Sequence, residues 1–495
     1  MKLHYISIIF ILSTLTSSAQ NWTGLNQSNY NGANAFYFNT AMAVSSPFMV
    51  SANGLSMGMN FDNNYLTYKL PFTITQWVRG TVPSNYKDNN GKIKFQNEWF
   101  EENLDGNPKN FDLNIENRGP ASIYNYDRKF AIGFFSRTRI GLQGFGISED
   151  LARIFRHGLD SSNNIIFDPP NQIQFGDEIT DNSFSVNMNS FSEIGVGGAV
   201  ALVRSIYMTV SVGANVKYLM GMGTGYVKNN GTSFKVNGYD SINFGKADFE
   251  YGYVKPSYFS NLNMINFMNG RPTGSGIGFD LSAYIELKKP NHKIGSYVEI
   301  PDVDYFFRGG IALQDIGSIT YSDGVIARHI QNNTPKTWVP GIEFAQAWAT
   351  GMEGGLHYMD SLTKSMFQVT ELNEIKASLP TTLMLHGDLK IVPKFFIGAQ
   401  IIQSLRSRES VSFRKPSSIT LIPRFEMKGV EVAVPMSLYN DYKNANLGAF
   451  IKLGPFFFGT DNLVTSISRA SFKDFNYYFG VSYGFSNSKK DDRNN

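Results

Sequence analysis

His386 and Asp388 come nearest to a catalytic pair in this chain: in LMLHGDLKI they stand two positions apart. On a strand, residues two apart share a face. An imidazole and a carboxylate so placed could orient a base or hold a shared ligand or serine, although a satisfied polar pair is the simpler account. The glycine-rich runs GMGTGY and GSGIGF superficially look like phosphate loops. The first sits where a strand exits with no helix after it, and the second is the small-residue face of a strand. A phosphate cradle needs a strand-to-helix turn. Six His and no Cys offer no metal-ligand spacing. The sequence therefore predicts no catalytic residue, no cofactor and no metal, and the chain is not expected to be an enzyme.

The remaining charges make a different pattern. Arg137, Arg139, Glu193, Lys217, Asp280, Glu286, Arg308, Lys390, Arg424, Glu426, Glu431 and Lys452, like His386 and Asp388, fall at alternate positions of otherwise apolar stretches. In SFSVNMNSFSEIGVGGAVALVRSIYMTVSVGANVKYL, Val186, Met188, Ile194, Val196 and Val200 oppose Asn187, Asn189, Glu193, Gly195 and Gly197. The pattern resumes after Val203-Arg204-Ser205, where Val210, Val212 and Val216 oppose Ser211, Asn215 and Lys217. Strict alternation is the strand signature, where a helix would repeat every 3.6 residues. These are two long strands, each with one apolar face and one small, polar or charged face.

Composition and length narrow the class. The chain has 495 residues with 40 Phe, 25 Tyr and 46 Gly, which suits strands and turns. Its mean hydropathy of −0.21 is too low for a helical membrane bundle. A transmembrane barrel escapes that limit because only alternate residues meet lipid. A formal charge of +3 gives no bulk attraction to nucleic acid, and no nucleic-acid partner is expected. MKLHYISIIFILSTLTSSAQ reads as a secretory signal peptide over 1–19, cleaved after Ala19. No Cys is present to carry a lipid anchor or form a disulfide.

An exported, strand-rich chain is either a β-sandwich or an outer-membrane barrel. Crossing the membrane takes about 9–11 tilted residues, whereas soluble strands average about 5–6. Runs such as KFAIGFFSRTRIGLQ reach the longer figure. The reading is an all-β chain forming a single antiparallel transmembrane β-barrel of about fourteen strands, with long extracellular loops. Strands are predicted near 47–61, 119–127, 129–147, 183–203, 205–221, 274–288, 303–322, 379–391, 394–408, 417–427, 429–440, 446–453, 455–464 and 475–485. A hairpin within 231–255 would raise the number to about sixteen, although an external extension suits its interrupted apolar face better. Tight connections fall at Arg128, Arg204, Val392-Pro393, Lys428 and Gly454. The barrel occupies 47–485, and 486–495 is a polar C-terminal tail.

An Arg or Lys facing mid-bilayer lipid costs about 2–4 kcal/mol, so the charged positions must point inward. Both signs are interspersed, which predicts ion pairs filling the bore more than an ion-selective pore. The segment 20–46, rich in Asn, Gly and Ala around Phe36, Tyr37 and Phe38, fits a compact turn-and-helix element that threads the bore as a plug, with a short periplasmic tail as the alternative. SEDLARIFRHGL reads as a short amphipathic helix on an outer loop, capped by Ser148.

Several stretches carry a family resemblance: NYNGANAFYFNTA, GPASIYNYDRKFAIGFFSRTR, GVGGAVALVRSIYMTVSVGANVKYLMG, GIGFDLSAYIEL, FRGGIALQDIGSITYSD, LPTTLMLHGDLKI, IPRFEMKGVEVAVPMSL and LGAFIKLGPFFFGTDNL. In these and their order the chain resembles an uncharacterised outer-membrane barrel family of Bacteroidota-type bacteria, known only as a domain of unknown function. More distantly it is similar to the long-chain fatty-acid transporter type, which implies about fourteen strands and an N-terminal plug. Relatives of that type often carry Asn-Pro-Ala in the plug. The matching positions here read Asn39, Thr40 and Ala41, so the Pro is missing. The terminal aromatic used in barrel assembly is also displaced, because Phe485 is followed by SNSKKDDRNN.

The resemblance implies a cell outer-membrane location, with outer-membrane lipid and the barrel-assembly machinery as partners. Three function classes follow: transport of a small hydrophobic or amphiphilic ligand, an accessory role beside a partner outer-membrane protein in a secretion, surface-assembly or gliding-type complex, and a membrane hydrolase without motif support.

Overall fold

The computed structural model describes residues 22–485 except 74–75, 78, 158–175, 181, 239–240, 259–271, 289–304, 340–345, 348, 409, 413, 428, 464 and 466–471. The signal-peptide reading, the C-terminal tail, the connection at 289–302 and the turn at Lys428 all lie outside these residues.

Fourteen antiparallel strands close on themselves. They are β1 (Val50–Asn63), β2 (Lys109–Tyr126), β3 (Phe130–Ile147), β4 (Ser183–Arg204) and β5 (Met208–Asn230). Next come β6 (Ala247–Val254 and Gly274–Lys288), β7 (Tyr305–Tyr321 and Val325–Asn332) and β8 (Val369–Leu372, Ile375–Ser378 and Thr382–Val392). The circuit continues with β9 (Phe395–Ser404), β10 (Ser418–Met427) and β11 (Val430–Ala433 and Met436–Tyr439). It ends with β12 (Asn444–Leu447 and Ala449–Leu453), β13 (Phe456–Thr460) and β14 (Asp474–Phe485). The ring closes where β1 pairs β14, from Val50 opposite Phe485 to Asp62 opposite Asp474. Among the described residues the closed barrel sheet therefore has no free edge to template aggregation.

The strands β5, β7 and β8 run farther toward the loop end than the predicted 205–221, 303–322 and 379–391, and three further details differ from the sequence reading. β2 begins at Lys109, not near 119, because Gly119-Pro120 reads as a breaker although the ladder resumes on both sides with a register shift. The turn after β4 comes at 205–207, beyond Arg204, with Ser205 N bonded to Met208 O at 2.8 Å. The segment 231–255 adds no further pair of spanning strands: Ala247–Val254 extends β6 alongside β5, and Phe234–Gly238 and Ser241–Phe244 join a small separate sheet.

The two faces sort by solvent. Ile132, Phe134, Ile194, Val196, Leu202, Val216, Ile277, Leu281, Phe458 and Phe479 stand 40–62% exposed on the outer surface. A band so apolar is stable only against hydrocarbon, which makes this a membrane-spanning barrel. At the end carrying the short turns, Tyr126, Phe130, Tyr207, Phe456, Tyr483 and Phe485 project outward, as interfacial aromatic girdles do.

At the opposite, loop-bearing end the connections fold into small packed units. Leu66–Tyr68 pairs Phe100–Glu102 above a cluster of Leu70, Phe72, Val82, Trp99 and Phe472. The helix Glu149–His157, preceded by Ser148, packs Leu151 and Ile154 against Phe234, Val236 and Ile242. The helix Met352–Met366 is tied to the wall through Asp360, which meets Arg328 at 3.2 Å and Tyr251 at 2.8 Å.

Candidate functional site

The bore is filled in three strata. In the middle lies an ionic layer made by the wall alone. β3 presents Arg137 and Arg139, β4 Glu193, β5 Lys217 and β6 Asp280, all buried. Asp315 on β7 is their hub: Arg137 reaches it at 3.0 Å, Arg139 at 2.7 Å and Lys217 at 2.6 Å. Arg139 also meets Glu193 at 2.9 Å, Arg137 bonds Glu193, and Lys217 meets Asp280 at 2.7 Å. Arg118 and Glu116 from β2 join the same layer, Arg118 bonding Glu116 at 2.5 Å. Positive and negative groups are matched, which is what burial in a low-dielectric interior requires.

Asp315 gets there by a backbone irregularity. Its φ is +58°, and the β6–β7 register slips between Phe279 opposite Ile316 and Leu281 opposite Leu313. A bulge inserts one residue and re-aims the side chain. Beyond it the inward parity of β7 switches from Arg308 and Ala312 to Ile319 and Tyr321. β8 switches with it across 379–381, from Met384, His386 and Asp388 to Ala377 and Leu379.

Nearer the short turns, wall charges hold the N-terminal segment. Asp388 sits between Arg308 at 3.0 Å and Arg424 at 2.9 Å, and Arg424 bonds Glu426 at 2.5 Å. Arg308 donates to the Gln27 carbonyl, and Glu426 accepts from the Asn29 backbone at 3.2 Å. Ser28 donates to Glu431 at 2.6 Å, and Lys452 donates to the Tyr30 carbonyl at 2.6 Å. Glu286 accepts from Tyr284 at 3.3 Å and pairs Lys288 at 3.5 Å. Lys390 is half-buried near the turn end.

Residues 22–46 run through the bore as short helices at Thr23–Asn26, Gly32–Tyr37 and Thr40–Ser45. Trp22, Leu25, Phe36 and Phe38 are at most 1% exposed. Burying each such side chain contributes about 1.5–3 kcal/mol. Asn39 caps the last helix, its side chain accepting from Ala41 N at 3.1 Å and donating to the Ala283 carbonyl at 3.2 Å. Thr40 donates to Asn215 at 2.9 Å. Ala41 takes a bond from Ser211 at 2.8 Å and gives one to Ser282 at 3.0 Å. The wall makes room with glycine: a Cβ on Gly213 would lie 2.6 Å from Ala41 N, and one on Gly197 2.6 Å from the Phe36 ring. Arg118 lies over Trp22 at 4.0 Å, a cation–π contact.

Toward the loop end the bore turns apolar. Phe191, Leu219, Tyr226, Ile319, Tyr321, Ile375 and Leu379 form one buried cluster with Val411 packed against it. Val411 belongs to the β9–β10 connection, which folds inward: Gln143 of β3 bonds Arg414 N and O at 2.5 Å, and Ser185 of β4 bonds Arg408 O at 2.7 Å. A cavity beside the N-terminal segment, lined by Ser28, Asn31, Tyr284 and Arg308, measures about 20 Å³, the room of one water molecule.

His386 and Asp388 share no hydrogen bond or ion pair. His386 Nε2 lies 3.1 Å from Asn39 Nδ2, its ring 4.8 Å from Phe38, while Asp388 is taken by the two arginines and Tyr305. Of the other charged positions singled out in the sequence, Glu286 and Lys390 lie near the turn end, and the rest divide between the wall layer and the segment-holding layer described above. Sequence reasoning missed Asp315, Glu116 and Arg118. The run LQDIGS held a signal, an acid and a nearby glycine inside an apolar strand, which is where bulges form.

Comparison with known proteins adds a family but no activity. A family model described as a family of unknown function (DUF5723) matches residues 41–461. No curated protein sequence matches the chain. Among solved structures it is similar to the Ralstonia pickettii toluene transporter TbuX at 10% identity and a TM-score of 0.37, covering 95% of this chain and 99% of that one. It is also similar to the Pseudomonas putida toluene transporter TodX at 10% identity, 93% and 95% coverage and a TM-score of 0.26. A third likeness is the translocator domain of the autotransporter NalP from Neisseria meningitidis, at 8% identity, 90% and 93% coverage and a TM-score of 0.28.

Proposed function

The chain belongs to the DUF5723 family, whose function is unknown, and from its own bore we propose an outer-membrane barrel that gates the passage of a small hydrophobic or amphiphilic molecule. In this reading residues 22–46 are the movable stopper. The short turns face the periplasm and the long loops the exterior, as in bacterial barrels. Outer-membrane lipid surrounds the wall, and the barrel-assembly machinery inserts it.

The carrying observation is how the segment is held. Residues 22–46 lie inside the ring without joining its ladder, through side-chain hydrogen bonds and packing against Gly197 and Gly213. Such a piece can move without tearing the sheet. The ionic layer supports the reading, because its charges pair wall to wall and stay satisfied when the segment shifts. The apolar stratum above suits a hydrophobic passenger better than the water-filled polar bore of a porin.

Uptake of a fluorescent hydrophobic probe into proteoliposomes tests this. The chain lacks Cys, so Thr40→Cys with Asn215→Cys can be bridged cleanly by a short bismaleimide. Uptake above protein-free vesicles, abolished by the bridge, is the expected result. Equal uptake with and without the bridge sinks the proposal.

A second reading is an accessory barrel that serves a partner outer-membrane protein through its rim. The packed loop units at the outer end favour it. Stoichiometric protein partners without probe uptake would select it.

A further inference from the structure

Most buried charges among the described residues are neutralised at contact distance, but Asp112, held by amides alone, and Asp461 are not. At the outer mouth, where β1, β11 and β12 meet the ends of β13 and β14, Asp461 and Asp474 line a small cavity together with Asn60, Asn446, Asn462 and Asn476. Its volume is about 10 Å³. Asp461 is 7% exposed, and its Oδ2 has no hydrogen-bond partner. Its Oδ1 accepts from Thr23 of the N-terminal segment. Asp474 Oδ1 accepts only neutral donors, Asn462 at 2.7 Å and Thr465 at 3.3 Å. Asp62, behind them, accepts from Asn440 and Asn444 and faces Asp474 as a like charge. Among the described residues, the cation acting on Asp461 is Lys415, from beyond ion-pair distance.

Burying carboxylates without counter-charge is expensive, and like charges side by side make it worse. Either protons or a cation must compensate. The chemistry of the lining decides between classes of cation. It offers carboxylate, amide and hydroxyl oxygens and no imidazole or thiol, a donor set for hard ions. Amide carbonyls have two lone pairs, so those already accepting a bond keep one for a metal. Magnesium retains its waters and demands octahedral order, whereas calcium takes six to eight mixed protein oxygens in flexible geometry. A cavity of one water's size cannot hold a hydrated magnesium ion.

We propose that this cavity binds a single calcium-class cation from the external medium, through Asp461, Asp474 and the side-chain oxygens of the neighbouring asparagines. Because Asp461 also holds Thr23, the ion would fix the tip of the N-terminal segment to the outer rim. The binding claim stands independently of the transport reading.

The test uses the full-length barrel refolded into lipopolysaccharide-free detergent and stripped with EDTA. Terbium is the probe, sensitised by the nearby Tyr439 and competed with calcium or magnesium, alongside thermal unfolding in each ion. Calcium should displace terbium and raise the unfolding temperature, with magnesium at least tenfold weaker. Asp461→Asn/Asp474→Asn should lose both responses, and Asp474→Asn alone should weaken terbium binding at least tenfold. Should the double variant not fold, the single variant and the wild-type competition decide the matter. The proposal is overturned by terbium emission that calcium does not compete, by equal calcium and magnesium effects, or by an unchanged response in Asp474→Asn. A wild type indifferent to calcium, with Asp474→Asn more stable in EDTA, would show that protons compensate instead.

Discussion

Replacing Asp315 by Asn removes one charge and almost no volume, so it isolates the electrostatics of the ionic layer. Three cations lie within 3.0 Å of this carboxylate: Arg137, Arg139 and Lys217. At an effective dielectric of about 20, each contact is worth roughly 6 kcal/mol of gross Coulomb energy, but the folded state has already spent most of that on desolvation. The net cost of leaving a buried partner uncompensated is about 3–5 kcal/mol. Glu193 and Asp280 still face the three cations, and the loss should sit at that range and not multiply threefold. The assay is reversible urea unfolding in detergent micelles or short-chain lipid. A second variant provides the sign check: Asp315→Asn/Lys217→Met restores the balance of charge and should recover more than half of the lost stability. The reasoning fails if Asp315→Asn lies within about 0.5 kcal/mol of wild type, or if adding Lys217→Met makes matters worse by the sum of the two single changes.

Three further changes probe other parts of the molecule. Gly213→Val places a side chain against the backbone of Thr40 and Ala41, so it should push the N-terminal segment off the wall. A cysteine at position 41 should then react with a maleimide at least tenfold faster than in the parent, and an unchanged rate would contradict the packing. Val196→Arg on the lipid face, 61% exposed in the middle of β4, should cost about 2–4 kcal/mol in a bilayer; a neutral result would mean that this face does not meet hydrocarbon. In the outer loop unit, burial alone would raise Glu102, but hydrogen bonds from His157 and Tyr65 and the Arg156 guanidinium pull it down to about 2. A depressed acid stabilises above its ordinary value near 4.5 and loses that contribution as pH falls toward 2. Pepsin cleavage within 64–108 should therefore increase across that window, and Glu102→Gln should be equally susceptible at both ends of it.

The parts of this architecture that were legible in the sequence share one cause. Lipid outside and closure inside force alternation, so Val196 beside Gly197 and Val216 beside Lys217 declare their faces without any knowledge of partners. The same rule put Arg137, Glu193, Lys217, Asp280, Arg308, Asp388 and Arg424 inside, because the membrane leaves an ionised side chain no other place. Parity says nothing, however, about who meets whom. It placed His386 and Asp388 on one face, yet their partners come from Asn39, from β7 next door and from β10 beyond the adjacent strand. It also fails wherever the period breaks. Asp315 is out of phase with Arg308 because a bulge at φ +58° adds a residue, and the bulge sets it against three cations contributed by β3 and β5, which the local sequence of β7 does not contain. Glu116 and Arg118 were lost for a related reason: Gly119-Pro120 hid the continuity of β2, which only its pairing with β1 and β3 reveals. What joins these failures is that each lies at a register shift, visible only once the neighbouring strands are in place. Were the bulge merely a local backbone preference, the sequence around Asp315 would keep it when the cations are neutralised. If the hub makes the bulge, replacing Arg137, Arg139 and Lys217 with Met together with Asp315→Leu, Glu193→Gln and Asp280→Asn, so that no buried carboxylate is left unpaired, should let β7 regain an unbroken inward parity, read as new hydrogen-exchange protection at the amides of 313–317.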